Sequence, residues 1–334
     1  MEYLAKNQIM SILNKRVEEL LYLQKRNKEN IVCKTLKIIP GDILKLSAEL
    51  MVNEKHLFFF DHPLDHISGV QLIEAMLQIV QVEYLFKNGF DMKTPLFFSN
   101  VQVEFAKICR KETISKIIIE QVGYQGKDKG LSLFNGHVRD DTTILCKGEF
   151  RVSMLDDGET HNPSALQQNE YLADNRIRPC PKEFVHKNNP INVFISEPTY
   201  ETESANKTNP YENMVFTIIP VGSHPFFSDY IGPHVPFLYL LEAFRQTQRY
   251  IDHVRKNDNS FFLSCRSYLV LLGIELKRPI FRSETVHLIM KKISPQQIGR
   301  NMLVSTNSHI VANGDVVGSC NVKSIIVGYK GLAN

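Results

Sequence analysis

The sequence predicts an α+β chain of two similar units, each an antiparallel β-sheet wrapped around one central apolar α-helix. Three observations carry this reading. One motif occurs twice, at residues 56 to 78 and 224 to 246; each copy runs into an apolar helical segment; and each helix precedes four stretches of strand character.

The repeat comes first, because internal similarity decides architecture before any single element does. HLFFFDHPLDHISGVQLIEAMLQ aligns without a gap on HPFFSDYIGPHVPFLYLLEAFRQ, at a constant offset of 168 residues (224 − 56). The alignment pairs His56 with His224, Phe58 and Phe59 with Phe226 and Phe227, Asp61 with Asp229, His66 with His234, Glu74 with Glu242 and Gln78 with Gln246. Downstream the match is looser. Phe97-Phe98 answers Phe261-Phe262, and Glu112-Thr113 answers Glu284-Thr285.

After Gly69, VQLIEAMLQIVQVEYLF is apolar on nearly every side of a helical wheel, which is the pattern of a buried helix. Its counterpart, about Pro236 to Val254, turns more polar after Gln246. In the strands after the second helix, Val286, Leu288 and Met290 alternate with His287, Ile289 and Lys291. Turns are expected at Asp140-Asp141 and Asn313-Gly314. A strand precedes each motif, at about Ile43 to Val52 and Met214 to Pro220. That order of elements is a hotdog. Two copies in one chain are expected to form internally the pseudo-dimer that single hotdogs make from two chains, leaving room for a further homodimer. The expected division is a first domain over 1–155, a polar linker over 156–183 and a second domain over 184–334, with an exposed loop at 197 to 213. An amphipathic helix near Ile9 to Leu23 is expected to pack on the sheets.

Composition narrows the classes of function. The 334 residues are 43% hydrophobic and 22% charged with a net charge of +3, an ordinary globular balance, and no basic run tracks a nucleic-acid backbone. The six cysteines are dispersed without a C-x-x-C pair, which fits reduced thiols in a cytoplasmic protein. No apolar run has the length of a membrane span. A metal site from His56, His62, Asp65 and His66 is disfavoured, because the second copy has Tyr230 and Pro233 at two of those positions. No bound cofactor is expected.

The motif residues carry a family resemblance. Phe58 to Pro63, then Gly69 and Leu72-Ile73-Glu74-Ala75 with Gln78, resemble the active-site segment of 3-hydroxyacyl carrier-protein dehydratases, with a loop two residues shorter. The nearer resemblance is to the A-factor biosynthesis hotdog family, with tandem copies of D-H-P-x-D-H-x-x-G and L-L-E-A-x-R-Q. Asp61 to His66 and Leu240 to Gln246 fit those strings. Phe184-Val185-His186-Lys187 resembles that family's repeat opening, and the first copy shows no equivalent. The resemblance spans about 40–155 and 184–330. It implies transfer of a β-ketoacyl group from an acyl carrier protein, or coenzyme A, to a hydroxyl acceptor such as dihydroxyacetone phosphate. The acyl-phosphopantetheine thioester would be the substrate and the acceptor a small phosphorylated molecule.

Thioester chemistry needs a base or acid near a carboxylate, with a helix N-terminus polarising the carbonyl. His62, Glu74 and Glu242 supply the first two types of group, and Gly69 would let a carbonyl approach the helix start. A carboxylate on so apolar a helix must be paired, or its pKa must rise. The copies differ where the first has His62 and the second Tyr230. In the dehydratases the histidine and the helix carboxylate of one site come from opposite subunits. Carried over, this implies an intact composite of His62 with Glu242 and a degenerate one of Tyr230 with Glu74. Glu74 and Glu242 also read as structural, with Gln78 and Gln246 as buried partners. His66 and His234 read as loop anchors or as catalytic groups, and His56 and His224 as loop structure. Phe59 reads as tunnel lining or plain core. Arg245 and Arg249, one helical turn apart, read as phosphate contacts or as a solvated helix face. Two further activities remain open on sequence: a dehydratase or hydratase, and a non-catalytic acyl-thioester binder.

Overall fold

The computed structural model describes residues 2–23, 25–41, 45–62, 64–89, 95–125, 130–155, 177–200, 211–230, 232–258 and 266–327. The chain divides into two compact units, Met1–Glu159 with Ser228–Gly232, and Thr160–Phe227 with Pro233–Asn334. A five-residue piece of the second motif therefore packs with the first unit, which a contiguous division of the sequence does not anticipate.

Unit 1 runs α1 (Glu2–Leu23), β1 (Cys33–Ile39), β2 (Lys45–Leu50), α2 (Gly69–Asn88), β3 (Leu96–Phe105), β4 (Lys116–Gln125), β5 (Leu131–Arg139) and β6 (Ile144–Met154). Its sheet has the order β1-β2-β4-β5-β6-β3, with every neighbouring pair antiparallel. The central helix is specified at both ends. Ser68 Oγ accepts from Gln71 N, and Gly89 closes the helix at φ 73°, a left-handed conformation that costs glycine nothing. From Val70 to Val80 every residue is buried, including Gln71, Glu74 and Gln78.

The sheet approaches this helix where side chains are smallest. Gly136 and Gly148 are register partners on β5 and β6. A Cβ on Gly136 would lie 2.4 Å from Ile119 Cδ1, and one on Gly148 would lie 2.6 Å from Phe150 Cζ and 3.3 Å from Met76 Sδ of α2. The expected turn at Asp140-Asp141 is built by Asp140 Oδ1, which accepts from Thr142 N and Thr143 N at 2.9 and 2.7 Å. Helix α1 buries Val17 and Leu21 and packs on β1 and α2, as its amphipathic pattern suggests.

Unit 2 contains β7 (Thr199–Tyr200), β8 (Met214–Thr217), α3 (Phe237–Asp258), β9 (Arg266–Leu276), β10 (Val286–Ile298), β11 (Asn301–Ala312) and β12 (Asp315–Val327). Its antiparallel order is β9-β12-β11-β10-β8-β7. Asn313 and Gly314, at φ 50° and 91°, form the predicted two-residue turn. Phe194, Phe226, Phe227 and Tyr239 pack edge to face or tilted, with centroids 4.4 to 5.4 Å apart, and make the heart of this core.

The fold is the α+β tandem hotdog expected from the repeat. The expected linker is shorter at its C-terminal end, because Cys180 N donates to Ile195 O and Glu197 N to Arg178 O. Residues 156–176 of that linker, 201–210 of the expected loop, and the Phe261-Phe262 pair lie outside the described residues. The register of the looser alignment also shifts by one. Thr113 N donates to Arg110 O and Glu284 N to Phe281 O, so Thr113, not Glu112, corresponds to Glu284. Leu50 N to Ser115 O and Ile218 N to Val286 O give the same register. The repeated Glu-Thr dipeptide is thus a coincidence of composition. Among the described residues no helix is long and apolar enough to cross a membrane.

Candidate active site: two buried helix carboxylates

The site begins at the short segment that opens each unit. Lys25, Asn27 and Asn30 in unit 1 have the spacing of Lys187, Asn189 and Asn192 in unit 2. Each central asparagine caps a one-turn 3-10 helix, Asn27 accepting from Glu29 N and Asn189 from Ile191 N. The first unit therefore does have a repeat opening, against the sequence expectation. It lies at an offset of 162 residues (187 − 25) rather than 168, so an ungapped extension of the motif alignment slides past it.

This opening organises everything around it. Phe58 N and Phe59 N donate to His56 Nδ1, which leaves Nε2 as the protonated nitrogen facing Asn30 Oδ1 at 3.2 Å. Phe226 N and Phe227 N donate to His224 Nδ1 in the same way, and His224 Nε2 lies 2.8 Å from Asn192 Oδ1. Burial, with the Lys25 ammonium nearby, pulls His56 down to about 4, so this imidazole is neutral at physiological pH. Both histidines are loop structure, as the sequence suggested.

The glutamines are buried tethers. Gln78 Nε2 donates to Asn30 O and to Glu74 Oε1 at 2.9 and 2.8 Å, and its Oε1 accepts from Val32 N. Gln246 repeats all three contacts with Asn192 O, Glu242 Oε1 and Phe194 N.

Each carboxylate then meets a buried ammonium. Lys25 Nζ is 3.2 Å from Glu74 Oε1, and Lys187 Nζ is 3.1 Å from Glu242 Oε1. The remaining oxygen is where the copies part. In unit 1 the Tyr230 hydroxyl donates to Glu74 Oε2 at 2.6 Å, while Lys25 Nζ sits 3.3 Å from the centre of the Tyr230 ring. Tyr230 is held by its neighbour Asp229, whose Oδ2 accepts from Asn27 N and Asn30 Nδ2 at 3.0 and 2.6 Å. Burial, then the Glu74 charge, pushes the Tyr230 phenol well above its ordinary value. Burial pulls Lys25 down against the opposing pull of Glu74.

In unit 2 Arg245 takes the corresponding role. Its Nε and Nη2 each donate to Glu242 at 2.7 Å, a bidentate clamp. Burial works to raise the Glu242 carboxyl, but Arg245 and Lys187 overcome it and hold the group down at about 2. Leu77 stands at the position of Arg245 in the first copy, so the second unit has a cation that the first lacks.

The other predicted residues fall into place around these pairs. Arg245 is occupied by Glu242, and Arg249 is half-buried, 3.9 Å from Asp252. His66 and His234 pin the motif loops through backbone bridges to Arg110 and Phe281, and His66 Nδ1 is 2.6 Å from Asp65 Oδ1. Phe59 is buried between Phe58 and the His56 ring. Gly69 is the first residue of α2, and His62 is half-buried on the loop before it. His62 belongs to unit 1 and Glu242 to unit 2. No cluster of metal-binding side chains occurs among the described residues.

The A-factor biosynthesis hotdog domain family matches this sequence twice, over residues 22–156 and 168–321. The chain belongs to that family. Both matches include the opening segments with Lys25 and Lys187, in keeping with their structural equivalence. A 3-hydroxyacyl-acyl-carrier-protein dehydratase from Caldicellulosiruptor saccharolyticus is 32% identical over 124 residues, 36% of this chain and 83% of the relative. A 2-oxo-3-(phosphooxy)propyl 3-oxoalkanoate synthase from Streptomyces virginiae is 28% identical over 100 residues, 30% of this chain and 31% of the synthase. Among solved structures, an oleoyl thioesterase from Lactobacillus plantarum aligns over 86% of this chain and 98% of its own, at 11% identity and a TM-score of 0.48.

Proposed function

We propose that this member of the A-factor biosynthesis hotdog family is an acyl-thioester-dependent acyltransferase. It moves a β-ketoacyl group from acyl carrier protein, or coenzyme A, to a hydroxyl of a small phosphorylated acceptor such as dihydroxyacetone phosphate. Family membership over both repeats and the likeness to the Streptomyces synthase support this reading.

One observation weighs for transfer over dehydration: Glu242 is held as an anion by Lys187 and Arg245. Eliminating water from a 3-hydroxyacyl chain needs an acid to protonate the departing hydroxyl, since hydroxide is a poor leaving group. A carboxyl held near 2 does not supply that proton. Transfer has no such need, because a thiol of ordinary pKa about 8.5 leaves as thiolate. What transfer needs is a base for the acceptor hydroxyl, the role proposed for His62, and donors for the developing oxyanion, the role proposed for the N-terminus of α2 at Gly69. Glu242 then acts as a fixed negative charge.

The test is incubation with β-ketoacyl and 3-hydroxyacyl thioesters of carrier protein and coenzyme A, with and without dihydroxyacetone phosphate, read by mass spectrometry. An ester that requires the acceptor is expected. Loss of water from the 3-hydroxyacyl thioester without acceptor would favour the dehydratase, and binding without turnover the non-catalytic reading.

A further inference from the structure

The helix face that carries Glu242 continues past it. Arg245, Gln248, Arg249 and Asp252 follow at spacings of three and four along α3, so they form one strip, and all four are half-buried. Gln248 Oε1 accepts from the Thr306 hydroxyl of β11 at 2.8 Å, and Arg245 is engaged with Glu242. The central helices begin at the same 168-residue offset as the motif, α2 at Gly69 and α3 at Phe237, so the equivalent strip in unit 1 is Leu77, Val80, Gln81 and Tyr84. No charge stands on it. The paired arginines belong to unit 2.

Arg249 differs from Arg245 in what it touches. Among the described residues its guanidinium meets an acid at Asp252 Oδ2, 3.9 Å from Nη1, which is an ion pair but too long for a hydrogen bond. A guanidinium carries five donors in a fixed fork, and such groups are ordinarily used when water is largely excluded. Burial, then the Arg245 charge beside it, lowers the Arg249 pKa, with Asp252 and Glu242 opposing. The side chain is nevertheless 25% exposed, so the fork is open to a ligand from solvent. Three cations, Lys187, Arg245 and Arg249, stand with two carboxylates, Glu242 and Asp252, and the cluster carries surplus positive charge.

We propose that Arg249 binds the phosphate of a small phosphate monoester, its fork gripping two phosphate oxygens while Arg245 keeps its clamp on Glu242. Asp252 already lies within reach of the guanidinium, so a ligand must compete with a carboxylate. A monoester dianion does so better than a single carboxylate or a phosphodiester, each of which brings one charge. Arg249 stands about two helical turns beyond Glu242, with Arg245 between them. The role rests on the transferase reading, in which the monoester is the phosphorylated acceptor and the diester is the phosphopantetheine arm of the carrier. Binding of the monoester does not rest on it.

Calorimetric titration of the full chain with glycerol 3-phosphate, dimethyl phosphate and butyrate tests it. Glycerol 3-phosphate is expected to bind most tightly, and Arg249→Gln to weaken it about tenfold or more. Arg249→Lys, which keeps the charge and loses the fork, should fall between. Asp252→Asn removes the competing carboxylate and should tighten binding, a gain that a folding defect does not produce. In the transfer assay, Arg249→Gln should raise KM for the phosphorylated acceptor by the same factor, with a far smaller effect on kcat and on KM for the thioester. No binding of glycerol 3-phosphate, equal binding by Arg249→Gln, or dimethyl phosphate or butyrate binding as tightly would overturn the proposal. Binding through Arg249 in a chain that transfers no acyl group would keep the site and remove the transferase reading.

Discussion

The Tyr230 hydroxyl donates to Glu74 Oε2 at 2.6 Å, and with Lys25 it closes one of the two helix carboxylates inside unit 1. Tyr230 stands where the first motif has His62, so the same position is a phenol in one copy and an imidazole in the other. A phenol pushed well above its ordinary pKa stays protonated and serves as a donor, not a base. Tyr230→Phe is therefore expected to cost stability, about 1–3 kcal/mol for a buried carboxylate left short of a donor, while acyl transfer stays within a few-fold of wild type. Urea unfolding and turnover of the same variant check both halves.

His62→Ala is expected to lower turnover about a hundredfold or more, the usual scale for loss of a general base. Unfolding midpoints of the two variants separate loss of a base from loss of fold. Equal loss of turnover in His62→Ala and Tyr230→Phe would remove the functional difference between the copies.

The ammonium of Lys25 is as deeply buried as the carboxylate it meets. Breaking one side of such a pair leaves an uncompensated buried charge, so Lys25→Met alone is expected to destabilise by about 3–5 kcal/mol. Lys25→Met with Glu74→Gln should recover much of that loss. Lys187→Met should cost less than Lys25→Met, since Arg245 still clamps Glu242. A double-mutant cycle on each pair measures the difference.

Much of this was legible in the sequence, and the limits have physical causes. The repeat, the apolar run from Val70 and the alternation in β10 announce both sheets and their helices, because burial on one or all sides writes itself into residue period. Glu74 and Glu242 stand out since charge on such a helix is costly. Lys25 does not stand out: a lysine among Gln24, Arg26 and Lys28 looks solvated, and its burial depends on an asparagine-capped turn six residues out of phase with the motif. The clamp by Arg245 is hidden in the sequence for a similar reason, since a residue three positions along a helix can face either solvent or its neighbour.

Stability should respond to pH in opposite senses at two helix carboxyls. Glu83 is buried in α2, and burial raises it from 4.5 to about 8. A raised acid is neutral in the folded state and ionised in the unfolded one, so its share of stability is full below about 4.5 and is lost as pH rises through 8. Glu242, depressed to about 2, contributes fully above 4.5 and loses its share as pH falls through 2. Melting temperatures of Glu83→Gln should fall less than wild type between pH 5 and pH 8, while the acid limb is unchanged.

Gly136 and Gly148 leave room for α2 against β5 and β6. Gly148→Ala forces the Phe150 ring and Met76 to move, and about 1–3 kcal/mol of destabilisation is expected, the scale of core overpacking. Gly314→Ala, where nothing lies within 4 Å but φ is +91°, tests backbone strain alone.

The reading as a transferase turns on the protonation state of Glu242. Carbon-13 NMR titration of labelled glutamate carboxyls, with Glu242→Gln to assign the resonance, measures it directly. Acyl transfer with Glu242 as a fixed anion requires a Glu242 signal that stays ionised throughout the neutral range and down toward pH 2 for as long as the chain is folded. A Glu242 carboxyl that takes up its proton near neutrality would contradict it, and would restore the acid that dehydration requires.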